Sequence, residues 1–304
     1  MITAPDYIQF YPTVRCNQAC DFCFNRHLPK LPDMEFPAFK LLADRVAKLG
    51  VRSLDIMGGE PTMHHELLRL VKYARQQGLM VNISSNGSNP AVLEELMLRF
   101  PEVLVGISVN DRQTSHEQER FVRRNRVVVK TVFRDAIDPT LINTLLSYGP
   151  RNYYLLYADA MDKAQLRRTV PFDAFLHAVR SRFDPAHVGT VSCSGFLPDH
   201  EQYPHLLRAR CPAGTTKLAV LPDGSVYPCN LFFGIEAYRL GNILTDPFES
   251  IWQHEVLTFF RTFVRNTCPR TDCMLHKVCH GGCPAHSLIH HGKRTAPDPR
   301  CVRK

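Results

Sequence analysis

No run of apolar residues in this 304-residue chain is long enough to cross a bilayer as a helix. The opening segment, Met1-Ile2-Thr3-Ala4-Pro5-Asp6, has neither the basic nor the apolar stretch of a secretion signal. Low-complexity tracts and repeats of solenoid length are missing too, which sets aside disordered and repeat architectures. These absences make a cytoplasmic protein the expectation. The most informative scarcity is local. Cys16, Cys20 and Cys23 stand in a C-x3-C-x2-C run, and residues 24–192 then contain no cysteine at all.

A [4Fe–4S] cluster normally takes four cysteine thiolates. Three on one tight loop leave one iron without a protein ligand, and an open metal position is where substrate or cofactor chemistry takes place. The chain has 11 cysteines, an odd number, and a reducing compartment disfavours disulfides. Seven of them lie between Cys211 and Cys301 and form a second group. Metal binding is the leading reading of both groups, with zinc or a simple electron-transfer cluster as alternatives for the first. The formal net charge of +8 invites a nucleic-acid reading, but it counts every cysteine as neutral. A four-thiolate cluster carries about −2 and a three-thiolate one about −1, so two or three clusters roughly halve the excess. Arg120, Arg123, Arg124 and Arg126 read as a solvated helix face rather than a nucleic-acid surface.

From residue 7 to 158, short apolar runs alternate with longer amphipathic ones. Strands are expected at 7–14, 53–57, 80–84, 103–109, 127–133 and 153–157, and helices at 37–49, 65–77, 91–99, 113–124 and 139–147. Gly50 and Gly78 mark helix ends, and Pro37, Pro90 and Pro139 mark starts. The pattern predicts an α/β fold, an open partial (βα)6 TIM-like barrel with parallel strands and right-handed crossovers. Sites in such folds lie at the C-terminal strand ends, and the cysteine loop follows the first strand. A further helix is expected at 172–183. After about residue 185 the texture turns to Gly, Pro and Cys, which divides the chain into 1–185 and a small Cys-rich domain at 186–304. There, 218–221 and 226–227 read as a hairpin around Asp223-Gly224, and 248–264 as a helix. So loop-rich a segment cannot bury enough core alone, so it is expected to depend on metal.

With Phe22 just before Cys23, the loop resembles the signature of the radical S-adenosylmethionine (SAM) enzymes. The resemblance implies that SAM chelates the open iron through its amino and carboxylate groups. An electron from the cluster then cleaves SAM to methionine and a 5′-deoxyadenosyl radical, which takes hydrogen from substrate; a fourth cysteine would block this. Gly58-Gly59-Glu60-Pro61, ending the second expected strand, resembles the motif that holds the SAM ammonium group, with Glu60 offsetting its charge. Ser84-Ser85-Asn86-Gly87 and Ser108-Val109-Asn110-Asp111 end the third and fourth strands and resemble ribose-contacting positions: Ser84, Asn86, Ser108 and Asn110. His116-Glu117-Gln118-Glu119-Arg120 resembles the segment whose arginine meets the SAM carboxylate, which implies that role for Arg120. Each motif alone reads as a turn or loop; together, in order at strand ends, they are specific.

The second group, Cys211, Cys229, Cys268-x4-Cys273-x5-Cys279-x3-Cys283 and Cys301, resembles the SPASM domain with its two auxiliary [4Fe–4S] clusters. The x4 spacing departs from the usual x2. Family connectivity implies that Cys268, Cys273, Cys279 and Cys301 hold the outer cluster, and Cys211, Cys229 and Cys283 the inner one. For the missing inner ligand three options stand: Cys193 supplies it, Cys193 is a buried free cysteine, or the iron is open to substrate. The histidine pairs carry no ligand spacing that the cysteines do not explain better, and Trp252, Phe259, Phe260 and Phe263 read as packing residues.

Radical SAM enzymes with SPASM domains mostly modify peptides or proteins by crosslinking or oxidation. A peptide maturase is therefore the leading expectation, and a radical SAM oxidoreductase acting on a small metabolite is the alternative. A non-enzymatic iron–sulfur carrier is the third. Sulfatase-maturating enzymes place a carboxylate directly after the second SPASM cysteine; here that position is Asn230, an amide that cannot act as a base. Only 15 residues precede Cys16, too few for a leader-binding domain, so a peptide substrate is expected to need a separate leader-binding protein or a direct docking surface. The other expected partner is a reductant such as flavodoxin or ferredoxin, with no membrane. No catalytic acid or base is assigned.

Overall fold

The computed structural model describes residues 4–111, 116–136, 138–192, 196 and 208–302. The first strands and helices alternate as expected: β1 (Tyr7–Thr13), α1 (Phe36–Lys48), β2 (Ser53–Gly58), α2 (Leu67–Gln76), β3 (Met80–Ser85), α3 (Pro90–Arg99) and β4 (Leu104–Ser108). They continue as α4 (His116–Arg124), β5 (Val128–Phe133), α5 (Pro139–Ser147), β6 (Asn152–Tyr157), α6 (Lys163–Arg167), α7 (Phe172–Arg180) and β7 (Val188–Val191). The longer helices each show the sheet one apolar stripe. In α2 it is Leu67, Leu70, Val71 and Ala74, the i, i+3, i+4, i+7 spacing of one helical face. Strand residues of one parity, such as Leu54, Ile56, Val81, Ile83 and Val129, bury against these stripes. The other parity carries polar side chains among apolar ones. Asn82 Nδ2 donates to Asp55 Oδ1 at 2.7 Å, and Lys130 Nζ to Ser84 Oγ at 2.6 Å. A sheet with helices on one face and hydrogen-bonded polar side chains on the other has a side on which a polar ligand can lie.

The sheet is larger than the six strands expected. Its order is β10-β9-β8-β1-β2-β3-β4-β5-β6-β7, where β8 is Lys217–Val220, β9 Ser225–Tyr227 and β10 Gly241–Asn242. From β8 to β7 all neighbours run parallel, and the ends of the order do not pair, so the sheet is open. The 218–227 hairpin forms, with β8 and β9 antiparallel. It also docks, β8 lying parallel to β1 with Tyr7 opposite Lys217 and Phe10 opposite Val220. The sheet thus runs unbroken across residue 185: β7 lies just beyond it and β8 further on. Four residues with a central glycine carry too little pattern to announce β7. The expected helix at 248–264 is two short ones, α8 (Phe248–Trp252) and α9 (Val256–Arg261). His254 breaks the run, its Nδ1 accepting from the Val256 N–H at 3.3 Å. The last helix is α10 (Pro284–His291). No helix among the described residues is long and apolar enough to cross a membrane.

Candidate functional site

The cysteine loop leaves β1 at Thr13 and is pinned at once to the end of β2. Gly59 N–H donates to Thr13 O at 3.1 Å, and Glu60 N–H to Arg15 O at 2.7 Å. The approach is so close that a Cβ on Gly58 would sit 2.2 Å from Thr13 O, and one on Gly59 2.0 Å from Arg15 O. Gly58 also has φ +142°, which side-chain-bearing residues rarely adopt. The glycine pair is therefore shaped to the backbone of the cysteine loop itself.

Glu60 is 1% exposed. Its Oε1 accepts from Thr62 N–H (3.1 Å), Thr62 Oγ1 (2.7 Å) and Ser85 Oγ (2.8 Å), and its Oε2 from Asn86 N–H (2.7 Å). One carboxylate thus ties the ends of β2 and β3 together, and Pro61 opens a single 3₁₀ turn beneath it. Asn86 carries the link onward, with Nδ2 donating to Asn17 Oδ1 at 2.9 Å and lying 3.9 Å from Cys16 Sγ. Asn17 Nδ2 donates in turn to Ser88 Oγ at 2.8 Å. From α4, Gln118 Nε2 donates to Asn86 O (2.6 Å) and Ser108 O (3.1 Å), while Asn110 Oδ1 accepts from Val132 N–H at 2.8 Å. Arg120 is exposed and lies two residues, about 200°, round the helix from Gln118. The structure brings Glu60, Pro61, Asn86 and Ser108 together with the cysteine loop; on α4 it turns Gln118 to this cluster and Arg120 away.

On its far side the loop is clamped to the residue after β5 and to α6 and the residue after it. Arg134 Nη1 meets both Asp21 oxygens at 2.9 and 3.0 Å, Arg168 pairs with the same carboxylate, and Gln165 Nε2 donates to Asp21 O (3.0 Å) and Cys23 O (3.2 Å). The Arg134 guanidinium sits 5.3 Å from the centre of the Phe22 ring. Burial raises the Cys20 thiol above its ordinary pKa, with the neighbouring Cys23 and Cys16 adding to this; burial raises Cys23 too, with Cys16 contributing. The three thiols therefore share one locality.

The remaining described cysteines fall into two groups. Cys211, Cys229 and Cys283 are buried and within electrostatic reach of one another. Burial, reinforced by neighbouring thiols, pushes Cys211 up to about 12 and Cys229 to about 11. Cys268, Cys273, Cys279 and Cys301 line one cavity with Phe172, Asn266, Arg270 and Asp298. Asn266 braces it, accepting from Cys268 N–H (2.9 Å) and donating to His276 O (2.9 Å) and Cys279 O (2.5 Å). Burial pushes Cys279 to about 11 and Cys301 to about 12. The longer Cys268-x4-Cys273 spacing is absorbed by a turn, Cys273 N–H to Arg270 O at 3.2 Å, and Arg270 is anchored on Asp173 of α7 at 2.7 Å. Between the two groups, Asp298 accepts from Cys283 N–H (2.7 Å) and pairs with Arg300 (2.8 Å), both fully buried, and Arg300 Nη1 donates to Ala158 O past β6 at 2.9 Å. Cys193 lies outside the described residues.

Two family models match separate stretches of the chain. The model of the radical SAM superfamily matches residues 10–132, and that of an iron–sulfur cluster-binding domain, SPASM, matches residues 211–284. The chain is a radical SAM protein with a SPASM domain. It is 23% identical to the tungsten-containing aldehyde ferredoxin oxidoreductase cofactor-modifying protein of Pyrococcus furiosus, over 90% of this chain and 88% of that one. It is likewise 23% identical to the PqqA peptide cyclase of Methylobacterium nodulans, over 95% of this chain and 84% of the other. The fold matches Streptococcus suis SuiB bound to precursor peptide SuiA with a TM-score of 0.73 at 17% identity, covering 99% of this chain and 76% of SuiB.

The cofactors of this radical SAM protein are SAM with its [4Fe–4S] cluster and the auxiliary clusters of the SPASM domain. The donor sets fit such groups better than zinc. A tetrahedral zinc, with Zn–S about 2.3 Å, holds its sulfurs about 3.8 Å apart. Among the described residues no three cysteine sulfurs lie within 4.8 Å of one another, so the cysteine groups are spread for something larger than one ion. Thiols raised this far by burial become thiolates only against a compensating metal charge. The tight groups that do occur are Asp33, His64 and His65, and Glu35, His65 and Glu66. They are poor metal sites: His64 spends Nε2 on Met34 O (3.0 Å) and Nδ1 on Glu66 N–H (3.2 Å), and Asp33 is paired with Arg15. Sequence reading missed Gln118, the Asp21 clamp and Tyr11, whose hydroxyl joins Asn25 and Asn230. Gln118 and Asp21 stand inside the quoted motif segments but at positions to which the resemblance gives no role, so the only signal was polarity within or beside an expected site segment.

Proposed function

We propose that the chain is a peptide maturase, in which Cys16, Cys20 and Cys23 hold the SAM-site cluster and SAM lies over the ends of β1 to β4. Bound there, cluster and SAM together supply hydrogen-atom abstraction from a substrate. The backbone of residues 58–61 receives the amino-acid end of SAM, and Ser84, Asn86, Ser108 and Asn110 border its ribose. Phe22, held under Arg134, flanks the adenine side. Glu60 shapes this surface rather than lying open on it, since Thr62, Ser85 and Asn86 already use its oxygens. Cys268, Cys273, Cys279 and Cys301 hold the outer auxiliary cluster, and Cys211, Cys229 and Cys283 the inner one.

The observation that carries the peptide reading is the end-to-end likeness to a PqqA peptide cyclase, covering 95% of this chain; a protein of the same fold binds a precursor peptide. Asn230 is buried and donates to Tyr11, so this position supplies no carboxylate base, which favours crosslinking over carboxylate-assisted oxidation of the sulfatase type. A flavodoxin or ferredoxin supplies the electron, and a separate protein presents the leader. The test is anaerobic incubation of reconstituted chain with SAM, reductant and the peptide encoded nearest its gene. The peptide is expected to change mass as 5′-deoxyadenosine accumulates. Steady SAM cleavage with unaltered peptide would overturn the reading in favour of a small-molecule substrate, the chemistry suggested by the cofactor-modifying relative.

A further inference from the structure

Tyr11, near the end of β1, is fully buried. Its hydroxyl donates to Asn25 Oδ1 at 3.3 Å and accepts from Asn230 Nδ2 at 3.3 Å. Asn25 follows Cys23 by two residues and extends the chain, its Nδ2 donating to Gly58 O at 3.2 Å. Asn230 directly follows Cys229. The Cys23 and Cys229 thiols both lie within electrostatic reach of the phenol. One hydroxyl therefore touches the loop of the SAM site and the loop of the inner auxiliary site. The ring is held edge-on against Phe233 at 4.9 Å, and Phe233 in turn meets Tyr227 of β9. Phenylalanine would fill the same space, so the hydroxyl itself makes the link.

We propose that Tyr11 is a positioning residue that couples the SAM-site cluster to the inner auxiliary cluster, and that an electron passes between them along this path. In that step the reduced inner cluster loses one electron and the oxidised SAM-site cluster gains it. No bond breaks, and the phenol keeps its proton. The electron comes from dithionite, from a flavodoxin-class donor or from the substrate radical, which is oxidised as it gives the electron up. The inference rests on the cluster assignment made under the proposed function.

The test uses reconstituted full-length chain carrying Tyr11→Phe, Asn230→Ala or both, with iron and sulfide analysis and redox titration followed by electron paramagnetic resonance. Cluster potentials respond to nearby hydrogen bonds and to burial. Tyr11→Phe is expected to shift the midpoint potentials of the SAM-site and inner clusters together and to leave the outer one in place. Freeze-quench spectra after substoichiometric dithionite are expected to show several-fold slower redistribution between those two. Asn230→Ala cuts the same link, so the double variant should go no further than the larger single effect, and this variant alone decides if Tyr11→Phe does not fold. A shift confined to one cluster, one that reaches the outer cluster, or additive effects would overturn the coupling. A parent chain that cleaves no SAM overturns the functional reading instead, and a parent without an inner cluster overturns both.

Discussion

Replacing Glu60 by glutamine separates two roles for this side chain: cross-link between loops, or partner of the SAM ammonium group. Its Oε1 accepts from the Thr62 N–H and its Oε2 from the Asn86 N–H. An amide has one acceptor oxygen and one donor nitrogen. The hydroxyls of Thr62 and Ser85 can turn and accept from that nitrogen; a backbone N–H cannot. Whichever way the amide is set, one N–H faces another in a buried site. The variant loses a charge-assisted hydrogen bond and strands a buried donor, a cost of about 2–4 kcal/mol.

That cost is present before any ligand binds. Glu60→Gln should therefore lower the Tm of cluster-loaded protein by several degrees in the absence of SAM. It should also weaken SAM binding, because Asn86 and its bond to Asn17 move with the β3 loop. Scanning calorimetry without SAM and titration calorimetry with it read the two effects separately. A variant with the parent Tm but weakened SAM binding would refute the cross-link and return Glu60 to the ammonium group.

Other substitutions probe other parts of the same assembly. Gly59→Ala places a methyl 2.0 Å from Arg15 O, so the cysteine loop must move; cluster occupancy, read as iron per chain, should fall sharply. Gly78→Ala, strained at its φ of +80° but with nothing within 4 Å and far along the chain from the cysteines, should lower Tm and leave occupancy intact. Asp21→Asn removes the charge that Arg134 and Arg168 share; the pair is half-exposed, so stability should change by about 1 kcal/mol or less, yet a chelator should strip the SAM-site iron faster. Cys301→Ala should cost one cluster's worth of iron and leave SAM cleavage to 5′-deoxyadenosine measurable, whereas Cys20→Ala should abolish that cleavage. Burial holds His64 below the ordinary histidine range. Above about pH 6.5 both states are neutral there; as pH falls through that value the unfolded chain takes the proton first and the folded state loses stability. His64→Gln should therefore flatten the acid-side decline in Tm, and an unchanged slope would count against the buried neutral imidazole.

The strand–helix alternation was legible because the longer helices each have one apolar stripe and each central strand one buried parity; β2, β3, β5 and β6 begin and end within a residue or two of expectation. The cysteine partition came from the family resemblance and not from spacing alone; the four assigned to the outer cluster line one cavity. What was not legible is long-range. Nothing in Lys217–Val220 says that this strand adds to β1, since a hairpin reads the same alone or docked. The same holds for Asp21, whose partners Arg134 and Arg168 are more than a hundred residues away. Arg120 was chosen by resemblance along the chain, but helical geometry decides which way α4 faces, and Gln118 is the residue turned toward Asn86 and Ser108.

The pairing of β8 with β1 has a functional consequence that the separate motifs do not have. β1 delivers the SAM-site cysteines from its C-terminal end. β8, running alongside in the same direction, turns back through β9 and delivers Cys229 and Asn230 two and three residues after Tyr227. After β9 the chain enters a 3₁₀ turn at Asn230–Phe232, from which the Asn230 side chain reaches the Tyr11 hydroxyl at 3.3 Å. A one-residue slip of β8 against β1 would turn Lys217 and Ala219 to the opposite face of the sheet and part Asn230 from the phenol. The SPASM domain is in this way a continuation of the barrel sheet rather than an appendage. Backbone pairing carries the loop of Cys229 toward β1, where Asn230 and Asn25, the latter two residues after Cys23, meet on the Tyr11 hydroxyl.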